Sequence, residues 1–209
     1  MKKDIKTLIL AFLSGVAISI GGCIFLACES KYMGALAFSV GLFFTVEFGF
    51  KLYTGSVGYA LDNTKHDNLS LITILIGNFF GALFIGLILQ LSRFEVGLQE
   101  KAKALSLVKL NDTWYSILIL SFMCGILIYA GVETYKKSQN QVSKVLAILF
   151  CVFVFIACGF EHCIANMFYF IFSNSLSLKC VIYILIMVLG NSLGGLLIPG
   201  FKKLAEKCE

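Results

Sequence analysis

The chain has 209 residues, 59% of them hydrophobic and 14% charged, with a mean hydropathy of +0.91, whereas soluble domains are nearer half apolar and a quarter charged. This composition excludes a soluble domain and predicts a polytopic, all-α integral membrane protein with room for about six spans. The net charge of +5 is modest, and no Lys/Arg cluster interleaves with aromatics on a polar face, which argues against nucleic acid as a partner.

Met1-Lys2-Lys3 ahead of Leu8-Ile9-Leu10 imitates a signal peptide, but the segment lacks a small-x-small cleavage site and stays apolar through Ala27. It reads as the first span, about Thr7 to Ala27, followed by a turn at Glu29-Ser30-Lys31. A second span starts near Met33 and stays apolar through Phe50, interrupted by Glu47. It meets Lys51-Leu52-Tyr53-Thr54-Gly55-Ser56 and resumes over Val57 to Leu61 before the polar stretch Asp62 to Asn68. Span three covers about Leu69 to Leu91. A polar connection, Ser92 to Asp112, carries Arg93, Lys101, Lys103 and Lys109. Span four is about Trp114 to Val132, span five Val145 to Phe172, and span six about Cys180 to Phe201.

The fifth run exceeds the about 20 residues that one straight span needs, and Glu161-His162 interrupts it just after Gly159. Ionisable residues at membrane depth are costly and usually face a protein interior or a water-filled path. Gly159 to His162 therefore reads as a break in a membrane helix opening onto a pore, the alternative being an aqueous loop between two short helices. Six spans put both termini on one side with the loops 62–68 and 133–144. That side holds ten lysines (2, 3, 6, 65, 136, 137, 144, 202, 203, 207) against six basic residues on the other (Lys31, Arg93, Lys101, Lys103, Lys109, Lys179). The bias predicts a cell-membrane protein with cytoplasmic termini.

The two halves resemble each other. Phe12-Leu13-Ser14-Gly15 matches Phe122-Met123-Cys124-Gly125, Gly49-Phe50-Lys51 matches Gly159-Phe160-Glu161, and Gly77-Asn78-Phe79-Phe80-Gly81 matches Gly190-Asn191-Ser192-Leu193-Gly194. With three spans in each half, this predicts one channel domain over residues 1–209 built as an inverted repeat with broken middle helices. Repeat A covers about 7–92, a linker 93–112, repeat B 113–201 and a tail 202–209. Such an architecture places a solute site near the midplane.

Gly159-Phe160-Glu161-His162-Cys163-Ile164-Ala165-Asn166-Met167 resembles the G-F-E-H-x-I-A-N-M signature of the formate/nitrite transporter family. Leu52-Tyr53-Thr54-Gly55 is similar to its L-F-T-[SG] loop, and Gly190-Asn191 with Gly194-Gly195 to its sixth helix. The resemblance implies an aquaporin-like protomer, assembled as a homopentamer, that conducts formate, nitrite or hydrosulfide and has no cofactor or enzymatic activity; passage is then of anion plus proton, or of anion alone, depending on pH. It implies His162 as the central pore histidine, Thr54 as its partner, and Glu161, Asn166 and Asn191 as supports of the broken helix. It also implies apolar constrictions at Phe38, Leu42, Leu52, Tyr53 and Phe155, and a vestibule lysine at Lys109, with Lys103 the alternative. Departures from the family pattern are Lys51 where an acid is common, and Gly125-Ile126-Leu127-Ile128-Tyr129 in place of G-I-L-C-N. A third is an N-terminal helix shortened to Met1–Lys6, and a fourth the position of Lys109, one helical turn too far from Gly125.

An apolar constriction strips the hydration of a bare anion, whereas a neutral acid passes more cheaply. A histidine, with an unperturbed pKa near 6.5, is suited to donate to such a permeant and to be reprotonated through water. Other readings are weaker. Thr54 to Ala60 echoes a potassium filter without its final Gly. Two histidines, His66 and His162, do not suffice for a haem or metal centre, and the scattered cysteines suggest neither disulfides nor zinc. An aquaporin-type neutral-solute channel is the nearest rival, but the only proline is Pro199, so no Asn-Pro-Ala motif exists.

Overall fold

The computed structural model describes residues 2–208. Met1 and Glu209, which open the N-terminal segment and close the tail, lie outside the described residues, as does the Lys2 side chain counted in the basic face. Among the described residues, four helices are long and apolar enough to cross a membrane: α1 (Lys2–Ala27), α4 (Lys65–Leu89), α6 (Trp114–Lys137) and α9 (Leu178–Glu206). Between them lie two interrupted helices, α2 (Lys31–Glu47) with the short α3 (Tyr53–Ser56), and α7 (Gln141–Ala157) with α8 (Cys163–Phe172). Side-chain caps start most of these helices: Ser30, Thr64, Thr113, Asn140 and Ser177 each accept a backbone N–H of the first turn.

Both interruptions have one cause. Gly49 and Gly159 adopt left-handed φ values of +66° and +71°, which a residue lacking Cβ reaches without penalty. The next amide then folds back, Phe50 N–H to Thr45 O at 2.9 Å and Phe160 N–H to Phe155 O at 2.8 Å, closing the helix in a Schellman motif. No atom lies within 4 Å of where a Cβ on Gly159 would sit, so Gly159→Ala meets strain alone. It is expected to cost about 1–2 kcal/mol, read as a lowered thermal midpoint in detergent; an unchanged midpoint would contradict this account of the break.

The long helices cross at backbone contact. A Cβ on Gly15 would sit 2.2 Å from Asn78 O, and one on Gly125 2.2 Å from Asn191 O, so α1 meets α4 as α6 meets α9, through small residues. The ends also group as the sequence suggests. Lys3 reaches Asp67 at 3.2 Å, Lys203 donates to Leu61 O at 2.8 Å, and Tyr59 O–H donates to Glu133 at 2.7 Å, so the start of α1, the end of α9, residues 59–67 and the end of α6 share one face. At the opposite face Lys101 donates to Leu26 O and Gln90 to Ile171 O.

Several boundaries differ from the sequence reading. Residues 2–6 are continuous with the first helix, and α6 continues to Lys137, so part of the expected loop 133–144 is helical. Residues 202–206 of the expected tail extend α9. The linker contains α5 (Leu98–Leu110), whose buried Ala102, Ser106 and Lys109 mark one inward face at helical spacing.

Candidate functional site

The irregular backbone after each break is polar and must be satisfied inside an apolar bundle. One asparagine does this in each half. Asn78 donates to Ala11 O and Lys51 O, both at 2.8 Å, and accepts from Tyr53 N–H at 2.8 Å. Asn191 donates to Ser121 O and Glu161 O, both at 2.8 Å, and accepts from Cys163 N–H at 2.9 Å. The partners correspond one for one between the halves, and in this register His162 occupies the place of Leu52. One break thus presents an imidazole and the other an isobutyl group.

His162 is 2% exposed and is the N-cap of α8. Its Nδ1 accepts from Ala165 N–H at 3.2 Å, and its Nε2 lies 2.8 Å from Thr54 Oγ1. An accepting Nδ1 assigns the proton of the neutral ring to Nε2. Nε2–H then donates to Thr54, whose hydroxyl hydrogen remains available for another acceptor. Glu161 is 4% exposed, so this is no aqueous loop. Its carboxylate takes both oxygens' bonds from Lys109 Nζ, at 2.9 and 2.7 Å, and accepts from Asn166 Nδ2 at 2.7 Å.

Two cavities approach this centre from opposite ends. One, about 220 Å³, is lined by Phe155, Gly159, Glu161, His162, Lys109 and Lys31 among others. The second, about 290 Å³, is lined by Gly49, Lys51, Leu52, Tyr135, Lys136 and Lys144 among others. Between them the chain is sealed by apolar side chains. Phe38 packs edge-on against Phe155 at 5.8 Å, and Phe155 lies 5.8 Å from the His162 ring. Leu42 follows one turn along α2 toward Thr45, which lines the second cavity.

The structure therefore brings together His162, Thr54, Glu161, Asn166, Asn191 and Lys109, with Phe38, Leu42, Leu52 and Phe155 around them. Lys109 reaches the site despite its distance from Gly125 because α5 turns its inner face to α8; Lys103, on the other face, is exposed. Tyr53 differs from expectation. Its hydroxyl bonds Ser192 Oγ on α9 at 2.8 Å, and it lines neither cavity. Cys163, next in sequence to His162, is buried in packing. Lys31, Lys136 and Lys144 were not singled out as site residues by sequence, since nothing local distinguishes a lysine at a cavity mouth from one in a solvated turn. Glu47, one turn before Lys51, accepts from Tyr135 O–H.

A family model described as formate/nitrite transporter matches residues 2–204. The formate channel FocA of Haemophilus influenzae is 30% identical over 188 residues, covering 76% of this chain and 64% of that protein, so the chain spans just under two thirds of that relative. The uncharacterized transporter YrhG of Bacillus subtilis is 32% identical, covering 92% of this chain and 82% of its own length. Among solved structures, a pentameric formate channel with formate bound superposes with a TM-score of 0.87 at 24% identity, over 100% of this chain and 99% of that one.

Proposed function

The chain belongs to the formate/nitrite transporter family, and on that premise we propose that it conducts the small monovalent anions of weak acids, formate first, across the cell membrane. The observation that carries this reading is a buried imidazole bonded to a buried hydroxyl between two lysine-lined cavities. A fixed binder or an enzyme has no need of a second cavity opposed to the first, reaching Leu52 and Gly55 on either side of Thr54.

Six crossings arranged as an aquaporin-like inverted repeat account for the matching breaks. The basic face carrying both termini lies in the cytoplasm by the lysine bias. Assembly as a homopentamer follows the likeness to a channel of that architecture. Lysines at each mouth raise the local anion concentration. The sealed region around Phe38, Leu42, Leu52 and Phe155 disfavours the charged form, so the permeant gains a proton or a hydrogen bond at its narrowest point. His162 and Thr54 supply donors there: the Thr54 hydroxyl reaches the permeant while Nε2–H orients it. Nitrite and hydrosulfide fit the same chemistry, since each has a neutral conjugate acid of similar size.

Formate entry into proteoliposomes, wild type beside His162→Ala from pH 5 to pH 8, tests the proposal. The wild type is expected to pass formate faster as pH falls, and the variant to lose that dependence. A wild type that passes water or glycerol but no anion would refute it.

A further inference from the structure

Two buried polar atoms of residues that line the Lys109-side cavity make no hydrogen bond within the described protein: Asn166 Oδ1 and the Tyr169 hydroxyl. Asn166 is 2% and Tyr169 4% exposed, and both residues line the 220 Å³ cavity beside His162. They are three residues apart on α8 and so share a face. The Asn166 amide has a defined orientation. Its Nδ2 donates to the Glu161 carboxylate, which only accepts, leaving Oδ1 turned away from that anion. Tyr169 is held by its ring against Phe25 and Phe168, so the hydroxyl is positioned without a polar partner. Buried groups of this kind normally pair.

The two atoms are complementary to one another's deficiency. Tyr169 offers an O–H donor, and Asn166 Oδ1 offers an acceptor. A carboxylate presents acceptors alone and leaves Oδ1 unsatisfied. An undissociated acid presents a C=O for the tyrosine and an O–H for the asparagine. We propose that Tyr169 and Asn166 form a receiving site for the permeant in its neutral, protonated form, one step outside His162. The inference rests on the conduction reading above. It assigns the two ends of one vestibule different tasks: Lys31 at its rim attracts the anion, and the Tyr169–Asn166 pair retains the acid.

Asn166 also supports Glu161, so Tyr169→Phe, which removes one oxygen and keeps the ring, is the variant to make. The half-saturating formate concentration for entry is expected to rise about five-fold, the size of one net neutral hydrogen bond. Formamide supplies a test in the wild type, because it carries the same C=O and a donor N–H without charge. It is expected to compete with formate, and to compete about five-fold less well in Tyr169→Phe. An unchanged half-saturation in the variant, or formamide without effect on the wild type, overturns the site while leaving conduction intact. A wild type that passes no formate removes the functional reading and this inference together.

Discussion

Lys109→Met is expected to destabilise the protein by about 3–5 kcal/mol, because it strands a buried carboxylate. Glu161 and Lys109 have side chains 6% and 9% exposed, and the ammonium contacts both carboxylate oxygens. Without it, Glu161 keeps, among the described residues, the Asn166 amide alone as a side-chain donor, too little to replace lost hydration. The double variant Lys109→Met/Glu161→Gln is expected to recover most of the loss. It holds no buried charge, and its amide oxygen still accepts from Asn166 Nδ2. Thermal midpoints and the monodisperse fraction in detergent measure both. A single variant as stable as the wild type would mean that the pair is not maintained in the folded protein. A double variant with near-native stability but strongly reduced formate entry would assign Lys109 to the permeation path as well as to the fold.

Asn191→Leu is the second large effect. The substitution leaves Ser121 O, Glu161 O and Cys163 N–H without their side-chain partner. At about 1–3 kcal/mol for each stranded buried group, the loss is several kcal/mol even after partial relaxation. Asn78→Leu does the same to Ala11 O, Lys51 O and Tyr53 N–H, so the stability losses are expected to be similar. Function separates them. Asn191 holds the backbone on both sides of His162, so Asn191→Leu misplaces the imidazole relative to Thr54. Formate entry at a temperature where the protein stays folded is expected to fall at least about tenfold, the equivalent of about 1.4 kcal/mol. Asn78→Leu, which releases the Leu52 side, is expected to alter the seal and raise leakage instead. Equal loss of entry without leakage in both variants would show that the two breaks are not specialised.

The two breaks and their supports were only partly legible in the chain. The breaks could be read because their signals are local: a glycine placed to take positive φ, followed by a charged residue in an apolar run. The likeness of the two halves could be read because each has the same small residues at its helix crossing and the same asparagine beside it. Asn78 and Asn191 could be recognised as helix-bonding amides from their glycine neighbours, although the backbone groups they satisfy could not. Lys109 was harder. Its linker reads as a polar connection, and the one clue is the spacing of Ala102, Ser106 and Lys109 on a single face.

By itself, then, the sequence determined a multi-pass helical protein, two interrupted helices, their likeness, and a histidine at the second break. These follow from hydropathy, backbone geometry and residue type, which act within a few positions. The tertiary structure decided everything that depends on which surfaces meet. It paired Lys109 with Glu161 across 52 positions and His162 with Thr54 across 108. It turned Tyr53 to α9, set Lys136 and Lys144 at a cavity mouth, and left Tyr169 and Asn166 facing the opposite cavity with unmet hydrogen-bonding capacity. Periodicity reports that a face is buried; only the packing of helices far apart in the chain fixes what that face is buried against.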